Sequence, residues 1–312
     1  MMISMDLRRH SRKFTLQNWA ILLCFNLCAI LPLCAQQALS VSQSLEKSIG
    51  KTSAVAVVLD ASTGRLLGVV RPQKAALLLT TPGSTLKPLF LAYALQHGKV
   101  QADTRFLCRR KLRIGAHSLD CIHPMAGSTF DAEQALAYSC NSYFANLSQR
   151  LTPQDAVSAL ALYGIGEPTH LFVEEASPLL RKPESPDETA LFVLGVDGVA
   201  ITTAQLAVAY RRLSLQLAAT SQDSTLSAIS RGLEDSVAYG MSHNAAVAGL
   251  RIAGKTGTAN SPGEPWTHGW FAGFAPADHP RIVIAIYVPR GSGSDAAHLA
   301  QEFFSAYKEA LR

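Results

Sequence analysis

The sequence predicts a mixed α/β fold: an antiparallel sheet built from both ends of the chain, flanked by helices, with an all-helical lobe inserted between them. Two observations carry this. Strand-like apolar runs cluster at residues 53–71 and again at 249–288, whereas the stretch between them is dominated by helical periodicity. Hydrophobic residues make up 48% of the 312 residues and charged ones 16%, a globular balance that excludes a mainly disordered chain and allows a substantial core. A sheet with strands at both ends closes only when those ends meet, so the helices of about 101–240 must form their own lobe. The cleft between two lobes is a common place for a site.

Taken in order, Arg8, Arg9, Arg12 and Lys13 precede an apolar run from Trp19 to Cys34, followed by the small Ala35. This reads as an export signal. The run is interrupted by Asn26 and Pro32 and is short of the roughly 20 residues that span a bilayer. Residues 1–35 are therefore expected to be a signal peptide, with a retained membrane anchor as the alternative, and 36–312 a catalytic domain exported to the periplasm or the outer face of the cytoplasmic membrane. Without residues 1–35 the formal charge falls from +5 to about +2. No basic stripe or aromatic–basic alternation remains, which excludes nucleic acid as an expected partner.

Apolar positions at Leu39, Val41, Leu45 and Ile49 predict a helix over 38–49. A hairpin follows, with strands at 53–60 and 65–71 joined by Ala61-Ser62-Thr63-Gly64, where Gly64 can take a positive φ. A helix is predicted from Ser84 to about Gln96, stopped by Gly98. Residues 101–128 look irregular. From Asp131, Ala132, Leu136, Phe144, Leu147 and Leu151 mark two helices separated by Ser139-Cys140-Asn141, residue types that prefer turns and caps. Thr152 and Pro153 start a further helix to Tyr163. Residues 167–189 read as a Pro-rich and charged surface excursion, and 191–215 as helical except for the break at Gly195–Gly198. The segment 221–240 continues as helix or loop. Strands return at 249–258, 269–275 and 281–288, and a helix over 296–311 closes the chain.

Of six cysteines, Cys108, Cys121 and Cys140 lie outside the signal. In an oxidising compartment Cys108 and Cys121 are expected to close a short disulfide loop, with free thiols as the alternative. His117 and His123 lie near, but the spacing fits no standard zinc pattern, so no metal and no cofactor is expected.

The chemistry centres on Pro82-Gly83-Ser84-Thr85-Leu86-Lys87-Pro88. Residues three apart on a helix share a face, which sets the Lys87 amine beside the Ser84 hydroxyl. A serine nucleophile needs such a base, and a lysine serves only when burial or neighbours depress its pKa. Alone, S-x-x-K is a weak signal. Two further polar clusters follow in order, Ser139-Cys140-Asn141 and Lys255-Thr256-Gly257.

Together these resemble the S-x-x-K, S-x-N and K-T-G set of the penicillin-binding transpeptidase family, within the serine β-lactamase and penicillin-binding protein superfamily. The likeness extends to Ser139-Cys-Asn-Ser-Tyr-Phe144, Gly254-Lys-Thr-Gly-Thr-Ala259 and Trp270-Phe-Ala-Gly-Phe-Ala-Pro276, and covers roughly residues 50–310. It implies a β-lactamase/transpeptidase-like fold and a D,D-transpeptidase acting on D-alanyl-D-alanine peptidoglycan stem peptides, with β-lactams as acylating inhibitors. A D,D-carboxypeptidase or a non-turnover penicillin sensor is the alternative. It further implies Ser84 as nucleophile, Lys87 as base, Ser139 as proton relay and Asn141 as orienter of Lys87 and substrate. Lys255 would be a fixed cation that biases Lys87 toward neutrality. Thr256 or Thr258 would hold the substrate carboxylate, Gly257 would leave room for substrate at the strand edge, and the N–H groups of Ser84 and Thr258 would form the oxyanion hole. No Glu-x-x-Leu-Asn segment of the class A β-lactamase type is present, which disfavours rapid penicillin hydrolysis.

Overall fold

The computed structural model describes residues 41–125, 127–220, 224–260 and 263–311; the expected signal segment at 1–35 lies outside the described residues. Five strands form the main sheet: β1 (Val55–Asp60), β2 (Leu66–Val70), β3 (Ala253–Asn260), β4 (Thr267–Ala275) and β5 (Ile282–Val288). Their order is β2-β1-β5-β4-β3, and every neighbouring pair is antiparallel. The two ends of the chain meet where β1 pairs with β5, from Val55 opposite Tyr287 to Asp60 opposite Ile282. The β1–β2 turn is closed by the Asp60 carboxylate, which accepts from the Thr63 N–H and the Ser62 and Thr63 hydroxyls, while Gly64 takes φ 77°.

An antiparallel sheet with one wet face alternates apolar and polar residues; Ile282–Val288 has no polar position except the Tyr287 hydroxyl. The reason is that both faces are covered. Ile282, Ile284, Ile286 and Val288 pack with Phe303, Phe304 and Tyr307 of the C-terminal helix, whereas Val283, Ala285 and Tyr287 face the larger core on the other side. The result is helix, sheet and helix in three layers.

The helices are α1 (Pro72–Leu77), α2 (Lys87–Gln96), α3 (Ala132–Ala137), α4 (Asn141–Ser148), α5 (Pro153–Leu162), α6 (Pro186–Val193), α7 (Thr203–Ala219), α8 (Ser224–Ala238) and α9 (Gly293–Leu311). Every residue of α2 from Lys87 to Leu95 is buried, as its all-round apolar sequence requires. It is the central helix of the larger core, and its N-terminus is consequently held fast. Thr152 and Asp155 form a capping box at the start of α5, as do Thr202 and Gln205 at the start of α7.

Several boundaries differ from the sequence reading. The first helix ends in a single π-turn at Glu46–Gly50. Helix α6 begins at Pro186, inside the expected excursion, because Ser185 caps the Glu188 N–H and Pro186 needs no N–H in the first turn. Residues 249–252 are not strand: Gly249 turns at φ 73° and β3 starts at Ala253.

Candidate active site

Gly83–Leu86 is a 3₁₀ turn, and the α-helical pattern begins only at Lys87. In a 3₁₀ turn residues i and i+3 eclipse one another, so Ser84 and Lys87 still leave on the same side. Pro88 falls in the first turn of α2, where the ring costs no hydrogen bond. The turn is tied down from four directions. Gly83 N–H donates to Gly195 O at 3.0 Å, and the Tyr210 hydroxyl of α7 donates to Thr85 O at 2.8 Å. Just upstream, Thr81 O accepts from Trp270 Nε1 at 3.0 Å and His268 Nε2 at 2.8 Å. Thr85 Oγ1 closes the turn on Pro82 O at 2.8 Å.

Two glycines permit this packing. A Cβ at Gly257 would lie 2.5 Å from Pro82 O, and one at Gly195 2.2 Å from Gly83 O. The side-chain-free Gly257 therefore admits the nucleophile turn itself, not primarily substrate as the sequence reading had it.

The second segment is the turn between α3 and α4. Ser139 adopts φ 54°, a left-handed conformation that costs a non-glycine residue of order 1 kcal/mol, and Cys140 is the N-cap of α4. This turn aims three acceptors at one amine. Lys87 Nζ donates to Ser139 O at 2.8 Å, Asn141 Oδ1 at 2.5 Å and Ser139 Oγ at 3.3 Å. Asn141 is oriented by its own Nδ2 donating to Leu119 O at 3.0 Å. One Nδ2 proton remains for the cleft.

Lys255 comes from β3. Its Nζ donates to Ser139 Oγ at 2.8 Å and Thr256 O at 3.1 Å, so two amines share a single hydroxyl. Both lysines are fully buried. Burial pulls the Lys87 pKa down to about 8. Lys255 is held well below the usual amine range, first by burial and then by the charge of Lys87. Burial lowers both amines, and the two like charges in one buried site oppose joint protonation.

The Thr256 hydroxyl is already used: it donates to Met241 O at 3.2 Å and accepts from Ser242 Oγ at 3.3 Å. Thr258 differs. Its Oγ1 accepts from Gly293 N–H at 2.9 Å and keeps its own proton to donate, and the residue is exposed at the edge of the sheet. Backbone direction follows from the same edge. Thr256 N–H points away from β4 to Ser242 Oγ at 3.0 Å, and residues two apart in a strand point the same way, so Thr258 N–H also faces outward. Ser84 N–H belongs to the first turn of the 3₁₀ segment, where N–H groups have no partner within the helix.

Ser84, Ser139, Asn141, Thr256, Gly257 and Thr258 line one open cleft together with Asp120, Cys121, Ile122, Tyr138 and Met241. Lys87 and Lys255 lie buried behind its wall and reach Ser139 Oγ from two sides. The carboxylate of Asp120 is engaged by Lys111 at 2.9 Å and the Leu112 N–H at 3.1 Å. Tyr210, Trp270, His268, Ser242 and Gly195 were missed as positioning residues. Gly195 left a sequence signal as a break in an apolar helical run, and Trp270 as the first residue of a stretch that carries the family likeness.

The expected Cys108–Cys121 disulfide is not formed; both thiols and that of Cys140 are free and buried. The nearest sulfur to Cys121 given by the hydrogen-bond geometry is that of Cys140, at 3.9 Å, so Cys121 faces two partners and is committed to neither.

Residues 54–308 match the model of the penicillin-binding protein transpeptidase domain. The chain belongs to that family. Among curated relatives, a probable peptidoglycan D,D-transpeptidase PenA of Neisseria flavescens is 30% identical over 274 residues, covering 74% of this chain and 68% of the relative. The peptidoglycan D,D-transpeptidase FtsI of Escherichia coli K12 is 27% identical over 279 residues, 76% of this chain and 47% of FtsI. Stage V sporulation protein D of Bacillus subtilis is 26% identical over 68% of this chain and 38% of its own. The chain thus spans about two thirds of the first and half or less of the others. In fold it is similar to the transpeptidase domain of Burkholderia pseudomallei penicillin-binding protein 3, with TM-score 0.76 at 22% identity over 89% of this chain and 95% of that one. A D,D-transpeptidase domain from Eggerthella lenta gives TM-score 0.75 at 21% identity, over 87% and 81%.

Proposed function

We propose that this chain is a serine D,D-transpeptidase that acts on D-alanyl-D-alanine stem peptides of peptidoglycan and is acylated by β-lactams. The observation that carries the reading is that three segments distant in sequence converge on one cleft, lined by Ser84, Ser139, Asn141 and Thr258, with the Lys87 amine buried behind it and bonded to Ser139 and Asn141. Ser84 Oγ attacks the carbonyl of the penultimate D-alanine, and its proton passes to Lys87 Nζ. The oxyanion is held by the N–H groups of Ser84 and Thr258, donors typically worth about 2.7 to 4 kcal/mol each. The C–N bond then breaks, the leaving D-alanine amine takes a proton through Ser139 Oγ, and an ester to Ser84 remains. An acceptor amine from a second stem peptide attacks that ester and releases Ser84.

Asn141 Nδ2 offers its remaining proton to the peptide backbone, and the exposed Thr258 hydroxyl, with the buried Lys255 amine behind it, receives the terminal carboxylate. Asp120, the carboxylate among the described cleft residues, is occupied by Lys111 and Leu112. It is poorly placed to activate water, which favours transfer to an amine over hydrolysis. Residues 36–312 form the catalytic domain, with 101–240 as its helical lobe, carried to the periplasm or the outer face of the cytoplasmic membrane by residues 1–35. Among the described residues no helix is long and apolar enough to cross a membrane.

Fluorescent penicillin labelling tests the nucleophile: wild type labels and Ser84→Ala does not. Equal labelling of the two removes Ser84 from the mechanism. Product analysis with a pentapeptide donor and an added acceptor amine then reads the fate of the acyl group. Dimeric peptide as main product is expected; free tetrapeptide alone would make the enzyme a carboxypeptidase, and labelling with no D-alanine release a sensor.

A further inference from the structure

Behind the Ser139–Asn141 turn, four metal-ligating side chains come together that the acyl-transfer chemistry does not use. Cys108 Sγ, Cys121 Sγ, Cys140 Sγ and a ring nitrogen of His123 all lie within 4.8 Å of one another, and all four residues are buried. Cys108 Sγ is 3.4 Å from His123 Nε2, and Cys121 Sγ is 3.9 Å from Cys140 Sγ. Around a tetrahedral zinc with Zn–S about 2.3 Å and Zn–N about 2.0 to 2.1 Å, neighbouring sulfurs sit about 3.8 Å apart and a sulfur and nitrogen about 3.6 Å apart. Two of the ligand pairs already stand near those separations, and the others lie within 4.8 Å.

Its other features argue the same way. Three sulfurs and an imidazole converge on one point instead of pairing, and all three thiols are free. His123 Nδ1 is buried with no hydrogen-bond partner, so no second bond of the ring explains why Nε2 is turned toward sulfur. The ring plane is set by Phe130, edge-on at 4.9 Å and 83°. Finally, the segment from Cys108 to His123 contains only one two-residue ladder, Arg113–Ile114 with His117–Ser118, and buries little besides Ile114 and the cluster itself. Such a segment gains from a cross-link what its core does not supply.

We propose that Cys108, Cys121, His123 and Cys140 bind one zinc ion in a closed Cys3His site. Three thiolates and one imidazole suit a borderline-soft ion of tetrahedral preference, and four protein ligands leave no open position, so the ion is structural. On binding, each thiol releases its proton to solvent and forms a Zn–S bond, and His123 binds as the neutral imidazole. The sequence spacing, C-x12-C-x-H-x16-C, fits no common zinc pattern, and for that reason the site was invisible before folding. It runs against the expectation of a metal-free chain. Cys140 sits between Ser139 and Asn141, and Leu119 O holds Asn141 Nδ2, so the ion fastens the turn that carries the Lys87 acceptors to the 108–123 segment.

The full chain, purified under reducing conditions without chelator, should carry about one zinc per molecule by elemental analysis. Replacement by cobalt(II) should give thiolate charge-transfer absorption and the d–d bands of a tetrahedral site. Three thiols should be slow to react in the native holoprotein and fast after chelation. Cys108→Ser and His123→Ala should each lower zinc retention at least tenfold. If either fails to fold, the cobalt spectrum and thiol count of the wild type decide. The proposal is overturned if the reduced wild type, given equimolar zinc, retains none through gel filtration. It is equally overturned if the isolated protein holds a Cys121–Cys140 disulfide and no metal, or if both variants retain zinc undiminished. Penicillin labelling is read separately, so neither reading stands or falls with the other.

Discussion

Gly257→Ala tests the claim that this glycine admits the nucleophile turn. The added Cβ would lie 2.5 Å from Pro82 O, 3.1 Å from Thr85 Cγ2 and 3.2 Å from Thr85 N. Ordinary contact begins near 3.4 Å, so the Pro82–Thr85 backbone and β3 must separate by roughly 0.9 Å. Two of the three obstacles are backbone, and that backbone is held by Tyr210, Trp270, His268 and Gly195, so neither side can yield cheaply. A misplacement of about 1 Å at reacting groups costs on the order of a hundredfold in rate, or about 2.7 kcal/mol of barrier. The strain also lowers stability by about 1–3 kcal/mol, as overpacking does. The assay is stopped-flow acylation by a fluorescent penicillin, with saturation kinetics to separate binding from the acylation step, alongside thermal melting. The expected result is a folded protein with the acylation rate constant down on the order of a hundredfold and the binding constant changed less. A variant that acylates within about threefold of wild type, or that loses only affinity, would refute the steric argument and return Gly257 to the role of leaving space for substrate.

Two further outcomes follow from the geometry. Because Lys87 acts as a base only when neutral and its pKa is lowered to about 8, acylation should rise about tenfold per pH unit below that value and level off above it; a flat profile between pH 6 and 9 contradicts the assignment. The two threonines should separate cleanly. Thr258→Val should weaken capture of carboxylate-bearing substrate about tenfold and also cost about 1 kcal/mol of stability at the Gly293 N–H it leaves unpaired, whereas Thr256→Val should cost about 1 kcal/mol of stability through its Met241 and Ser242 bonds and leave affinity nearly intact. The reverse pattern in the same two assays exchanges their roles.

Local pattern made most of the fold legible before any coordinates. The run Ile282–Val288, the hairpin closed at Gly64 and the cap at Thr152 are decided by residues within a few positions, and each forms as read. The nucleophile segment was legible in position but not in form, because the choice between 3₁₀ and α at Gly83–Leu86 depends on Gly195, Tyr210 and β3. The cysteines were misread for a related reason. Cys108 and Cys121 look like a pair in sequence, but α4 delivers Cys140 to the same point, and a three-sulfur cluster cannot be inferred from two-body spacing. Thr256 and Thr258 were equivalent on paper; the hydroxyl of Ser242 and the N–H of Gly293, both supplied from elsewhere in the chain, make them different.

The arrangement around Ser139 Oγ explains how a buried lysine can serve as a base at all. A charged Lys87 has three protons and three acceptors, Ser139 O, Asn141 Oδ1 and Ser139 Oγ. A neutral Lys87 has two protons, which the two carbonyl oxygens accept, and a lone pair, to which the Ser139 hydroxyl can turn its proton. Lys255 supports both states, since its Nζ donates to Ser139 Oγ at 2.8 Å whichever way that hydroxyl points. Lys87 Nζ therefore has a partner for each of its protons, and for its lone pair when neutral, in either protonation state. A carboxylate partner in place of Asn141 would remove that balance by favouring the ammonium alone. The neutral amide and the shared hydroxyl keep Lys87 poised between states, and the hydroxyl that makes the exchange is the one that faces the leaving group from the cleft wall.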